Sequence, residues 1–157
     1  SSSESMALGE RAKLFVIATK LQDAKFADAH AVAVTDLLLA TKKDGFNHAV
    51  TALEIAYAKE KGDRRDAIAV DLAAALIARA RWDQTEKDYE RALDLSNEVL
   101  KRKQIPEAAW NRAVALELLH RDAEAIRAWD EYLKLDASSE WAKDATDRKA
   151  GLIQRDF

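Results

Sequence analysis

The chain contains no cysteine, one proline and four glycines in 157 residues, and nowhere an uninterrupted run of 18 apolar residues. The missing cysteine excludes disulfides, thiolate zinc sites and cysteine nucleophiles, and it fits a reducing compartment such as the cytoplasm. The scarcity of proline and glycine argues against a sandwich or barrel, which needs many turns, and for long uninterrupted helices. The lack of a long apolar run leaves nothing to span a membrane. A net charge of −3 supplies no global field for nucleic acid. Strongly polar SSSES at 1–5 has neither the basic nor the apolar region of a signal peptide. It reads as a disordered or appended tail, and the chain as a piece of a longer one.

What is present is ordinary globular composition, rich in alanine, with 34% charged and 48% hydrophobic residues. A chain of this length hides about 70% of its unfolded surface. Apolar spacing is helical nearly throughout. Phe46, Ala49, Val50, Leu53 and Tyr57 fall on one helix face, and Trp141, Ala145 and Leu152 on another. No alternating β-branched stretch reads as a strand.

Local chemistry predicts the breaks. Asp44-Gly45 is a turn dipeptide. Lys61-Gly62-Asp63 reads as a glycine stop followed by an N-cap. Thr85-Glu86-Lys87-Asp88 fits a capping box. Ile105-Pro106 places proline at a first helical position, and Ser138 or Ser139 caps the last helix. About eight helices follow, near 6–21, 25–42, 46–61, 64–82, 86–103, 106–119, 122–135 and 139–154. Their short connections predict antiparallel hairpins.

Three segments repeat one another: AVTALEIAYAKEK (49–61), ALDLSNEVLKRKQ (92–104) and AIRAWDEYLKLDA (125–137). Each opens with alanine and an aliphatic residue, and each stays apolar a further two turns on. The spacings are 43 and 33 residues, a pattern that suits a helical solenoid if the helix at 64–82 is long.

The stretch PEAAWNRAVALELLHRDAEAIRAWDEYLKLDA (106–137) resembles a tetratricopeptide repeat. Trp110, Ala113 and Leu116 mark its first helix. Ala125, Trp129, Tyr132 and the ending Leu135-Asp136 mark its second. Ala113, His120 and Ala137 stand where the family usually has glycine, glycine and proline. Together with DLAAALIARA (71–80) and YERALDLSNEVL (89–100), the region also resembles the tetratricopeptide segment that precedes caspase-like CHAT domains in bacterial proteins, although no protease domain is present here.

The resemblance implies an all-α, right-handed solenoid of antiparallel hairpins over a single domain at 6–157. Its clearest repeats are 64–104 and 106–137, and 139–154 is a capping helix. The implied function is a protein-binding scaffold, not an enzyme. A partner's peptide or helix would lie in a concave groove lined by Trp110, Asn111, Val114, Glu117, Leu118, Leu72, Leu76 and Arg79. Glu117 puts negative charge on that surface, which favours a basic or mixed partner segment over a clamped carboxylate. Two other roles fit the same fold. One is structural self-association, for example as a homodimer, through Leu14, Phe15, Ile17, Ala18 and Leu21. The other is regulatory sensing on behalf of an attached effector.

No cofactor or metal is expected. His30, His48 and His120 are isolated, outside any HExxH or triad-like pattern, and read as surface or cap residues. Lys101-Arg102-Lys103 reads as the basic end of a helix, complementing its dipole, and not as a nucleic-acid patch. Trp129 and Trp141 read as inter-helix packing. The capping helix is expected to turn Lys143, Asp147 and Lys149 outward.

Overall fold

A computed structural model describes residues 43–155. The expected tail at 1–5, the helices at 6–21 and 25–42, His30 and the strip from Leu14 to Leu21 lie outside these residues. The described chain is all-helical: α1 (Lys43–Lys59), α2 (Gly62–Asp83), α3 (Glu86–Arg102), α4 (Pro106–Leu118), α5 (Asp122–Leu135) and α6 (Glu140–Arg155). Among the described residues there is no strand, and no helix is long and apolar enough to cross a membrane.

Three of the predicted boundaries hold for the expected reasons. Gly62 takes φ +64° at the junction of α1 and α2, a conformation that costs glycine little, although Asp63, expected as the N-cap, lies inside the first turn of α2. Pro106 opens α4, where its missing N–H is no loss. The Ser139 hydroxyl accepts the Ala142 amide at 3.2 Å and caps α6. Two boundaries are made differently. Helix α1 already includes Asp44-Gly45, so that dipeptide is no turn. Thr85 holds the N-cap position of α3 without a side-chain cap hydrogen bond. Its backbone carbonyl, not its hydroxyl, accepts the Asp88 amide at 3.2 Å, so the capping box does not form.

By its internal contacts the chain divides into two compact units, one up to Trp82 and one from Asp83 onward. In the first, Ala49, Val50 and Leu53 are buried on α1 as their spacing predicts. Helix α2 is buried on every side, with Ile68 through Ala73 all inaccessible. Arg79 on α2 donates to Asn47 Oδ1 at 3.4 Å, and the Arg65 guanidinium lies 4.3 Å from the centre of the Tyr57 ring.

In the second unit α3 packs on α4, α4 on α5 and α5 on α6. Ala113 and Ala125 are fully buried, so the α4–α5 pair is built on small residues. The turn between these helices forms a paired hydrogen-bond motif. The His120 amide donates to the Glu117 carbonyl at 3.1 Å, and the Arg121 amide to the Leu116 carbonyl at 3.0 Å. This closure needs a left-handed residue, and His120 supplies it at φ +58°. On α6, Ala142, Ala145 and Leu152 are buried. Lys143 and Asp147 are exposed as expected. Lys149 instead reaches back to Asp130 on α5, at 2.5 Å.

Candidate functional site

Trp110 was the expected groove anchor, but the structure buries it. Its ring is 4% exposed and meets three other rings edge-on. Trp129 lies at 4.9 Å, Tyr132 at 5.2 Å and Trp141 at 5.7 Å between centroids. Such edge contacts contribute about 0.5–1.5 kcal/mol each beyond the area they bury. Trp129 and Tyr132 face the same way because they sit three apart on α5. The Arg148 guanidinium comes within 5.5 Å of the Trp110 centroid and 5.6 Å of the Trp129 centroid, within range of a cation–π interaction. Trp141, expected as inter-helix packing, meets Trp110 edge-on in this cluster, and α6 packs on α5.

Glu117 belongs to the same cluster. Its Oε2 accepts from Trp129 Nε1 at 3.3 Å and pairs with Arg148 at 3.5 Å. The negative charge expected to select a basic partner is therefore spent inside the fold. Asn111, Val114, Leu72 and Leu76 are buried as well, at 6%, 1%, 0% and 2% exposure. Leu118 and Arg79 are half-buried. The predicted surface is thus mostly core, and its residues come from both units. The physical reason on α4 is that the helix is flanked by α3 on one side and α5 on the other, so little of its circumference is left open.

An open groove exists on the far side of α4. It has a volume of about 370 Å³ and lies within the second unit. Leu93 and Asn97 from α3, Arg112 and Leu116 from α4, and Glu124, Arg127, Ala128 and Glu131 from α5 line it, with Arg121 at the turn. Spacings of four place Leu93 with Asn97, Arg112 with Leu116, and Glu124 with Ala128 along three helix faces. Leu93, Leu116 and Ala128 are buried and give the groove an apolar floor. Sequence reasoning did not select this face. The available signal was the Arg112/Leu116 pair, which lies opposite Trp110 and Val114 on the helical wheel.

The charges around the groove are unevenly committed. Arg121 grips Glu124 with two bonds, Nε to Oε1 at 2.9 Å and Nη2 to Oε2 at 2.6 Å. This hydrogen bond is the main reason that the Glu124 carboxyl is held below its usual range and the Arg121 guanidinium above its own. Glu131 pairs with Lys134 at 2.9 Å. The Arg112 Nε is buried and meets no hydrogen-bond partner.

A second polar cluster closes α5. Tyr132 donates its hydroxyl to Asp136 Oδ2 at 2.7 Å, and the Ser139 amide donates to Asp136 Oδ1 at 3.2 Å. The Ser139 hydroxyl also bonds Asp136. Burial raises the Asp136 carboxyl, but the bonds from Ser139 and Tyr132 outweigh it and hold the group below its usual range. Burial, reinforced by Asp136, pushes the Tyr132 hydroxyl well up. This cluster joins the end of α5 to the cap of α6, which makes it structural.

His48 and His120 are exposed. Lys101 and Arg102 pair with Glu98 at 2.9 and 3.8 Å at the end of α3. Among the described residues no three His, Asp or Glu side chains gather to hold a metal. No family model, curated protein or solved structure matches the chain.

Proposed function

We propose that the chain is a tetratricopeptide-like scaffold, a right-handed solenoid of antiparallel helix hairpins, that binds a segment of a partner protein. The observation that carries this reading is the groove between α3 and α5, with its apolar floor and charged, hydrogen-bonding rim. Such a surface suits an extended peptide or a helix laid along it. The repeat supports the architecture. Ala49, Ala92 and Ala125, equivalent in the three similar segments, are each fully buried. The 22-residue α2 against the 13-residue α4 accounts for nearly all of the difference between the two spacings. The groove displaces the concave surface around Trp110 as the binding face.

Site-specific photocrosslinking tests the proposal. A photoreactive residue is placed at Asn97 or Arg127 in the groove, and at Lys143 on the exposed side of α6 as a control. In lysate of the source organism, a discrete adduct from the two groove positions and none from Lys143 is expected. Adducts only at Lys143, or at no position, would remove the groove as the binding surface.

Trp82 favours a second reading, self-association, because 58% of it is exposed at the end of α2. Sedimentation over a wide concentration range, with Trp82→Ser alongside, separates the two. A mass that rises with concentration only when Trp82 is present would support association.

A further inference from the structure

We infer that the groove receives an acidic side chain of the partner, and that Arg112 is the counter-ion it meets. The inference rests on the groove being the binding face.

Most charges around the groove are already taken. Of the two glutamates on the rim, Glu124 is held by Arg121 and Glu131 by Lys134. Neither needs a cation from a guest, and neither leaves its charge unopposed. Arg127 adds a smaller pull on Glu124 across space, and Arg112 is left over. Among the described residues no carboxylate lies within 4.0 Å of either guanidinium. Arg127 is exposed on the rim, whereas Arg112 is half-buried in the lining.

A guanidinium carries five donors and stays charged at any ordinary pH. To desolvate part of it without a partner is costly, more so than for a neutral group. Other partly buried charges in this unit are matched: Arg148 with Glu117, Lys149 with Asp130 and Asp136 with Tyr132. Arg112 Nε and Asp122 Oδ1 are buried without a hydrogen-bond partner, and of the two only Arg112 lines the open groove.

The group that completes it is a carboxylate, whose two oxygens match the guanidinium fork. The apolar floor of Leu93, Leu116 and Ala128 takes an aliphatic neighbour of that acid. Asn97 is placed to bond the guest's backbone, and Arg127 adds a second positive charge that speeds encounter with an acidic segment. The guest is therefore a peptide in which Asp or Glu stands beside an aliphatic residue.

A displayed library of random twelve-residue peptides with blocked ends tests this. Wild-type protein is the bait, and the enriched peptides are then measured against Arg112→Met and Asn97→Trp. Methionine keeps the stem of Arg112 without its charge, and thermal melts confirm that both variants are folded. Enriched peptides are expected to share an acidic residue next to an aliphatic one. Changing that residue to Gln or Asn should weaken binding at least tenfold, and so should Arg112→Met. The two changes together should cost little more than either alone.

Peptides that lose binding to Asn97→Trp but need no acidic residue would overturn the counter-ion role and leave the groove reading standing. Peptides that bind both variants as well as wild type would overturn both. So would enrichment no better than on a bare support. If the only species that occupies the groove is a second copy of this chain, seen as a dimer that Asn97→Trp abolishes, the peptide guest is also overturned.

Discussion

Glu117 on α4 and Arg148 on α6 stand 31 positions apart and meet at 3.5 Å, with only 18% and 11% of their side chains exposed. The same carboxylate oxygen accepts the Trp129 indole N–H at 3.3 Å. One charge on α4 therefore ties α5 and α6 together. Removing one member of a buried pair strands the other, at a cost of about 3–5 kcal/mol when burial is complete. This pair retains some solvent, so Glu117→Ala is expected to cost about 2 kcal/mol. Glu117→Gln keeps an acceptor for Trp129 and should cost about half as much. Urea unfolding of the two variants measures the difference.

Trp110 lies at the centre of the aromatic cluster, so its removal is a test of stability before it is a test of binding. Trp110→Ala is expected to lower the unfolding free energy by about 4 kcal/mol and to erase most of the near-ultraviolet circular dichroism. Trp110→Phe preserves a ring and should lose less than half of that. A loss of partner binding in Trp110→Ala would thus report unfolding, which the melt reveals.

The Tyr132–Asp136 contact predicts a pH dependence. The folded Asp136 carboxyl titrates below its unfolded value, so its stabilisation is complete above about pH 4 and drains away as pH falls through the folded value. Asp136→Asn should therefore be less stable than wild type at pH 7, and the gap should close toward pH 3. Tyr132 titrates above its unfolded value, so its stabilisation is complete below about pH 10 and is lost as the solution becomes more alkaline. Tyr132→Phe should flatten that alkaline limb. Thermal melts across pH 3–11 check both limbs.

The two left-handed positions predict opposite outcomes. At His120, φ +58° strains any residue with a Cβ by about 1–2 kcal/mol, although histidine is among those that tolerate it better. His120→Gly relieves that strain and loses part of the gain to the greater entropy of unfolded glycine. A net stabilisation of about 1 kcal/mol, or about 3 °C in Tm, is expected. At Gly62, a new Cβ would meet nothing within 4 Å. Gly62→Ala should nevertheless cost about 1 kcal/mol, because the backbone alone resists φ +64°. Calorimetry of the two variants isolates the backbone contribution.

Arg112 predicts a conflict between stability and binding. With its Nε buried and unpartnered, the residue costs the free protein more than an apolar side chain of similar shape. Arg112→Met is expected to be as stable as wild type or more so, by up to about 1 kcal/mol. Equilibrium unfolding in urea checks this without any ligand.

The helices were legible in the sequence because short-range chemistry writes their ends. Pro106, Ser139 and Gly62 act through their own backbone or through a neighbour three residues away. Thr85 failed as a side-chain cap because its carbonyl takes the amide that its hydroxyl was expected to take. The proposed binding face was less legible. Periodicity says that Trp110, Val114 and Glu117 share a side of α4, but not that rings from α5 and α6 occupy that side. In its own segment Arg112 shows only that it shares a face with Leu116. Its isolation emerges only when the partners of Glu124 and Glu131, from other turns of the chain, have been assigned.

Within the second unit each helix packs on the one before it in the chain, α4 on α3, α5 on α4 and α6 on α5. A polypeptide leaving the ribosome is delivered in that same order, first residue first. Each helix can therefore dock as soon as it emerges, at the entropic cost of closing one short loop. Glu117 and Trp110 on α4 are exceptions, because they must wait for Arg148 and Trp141 on α6. The aromatic centre of the unit is thus sealed late in synthesis, by a charge that arrives only when α6 is more than half made.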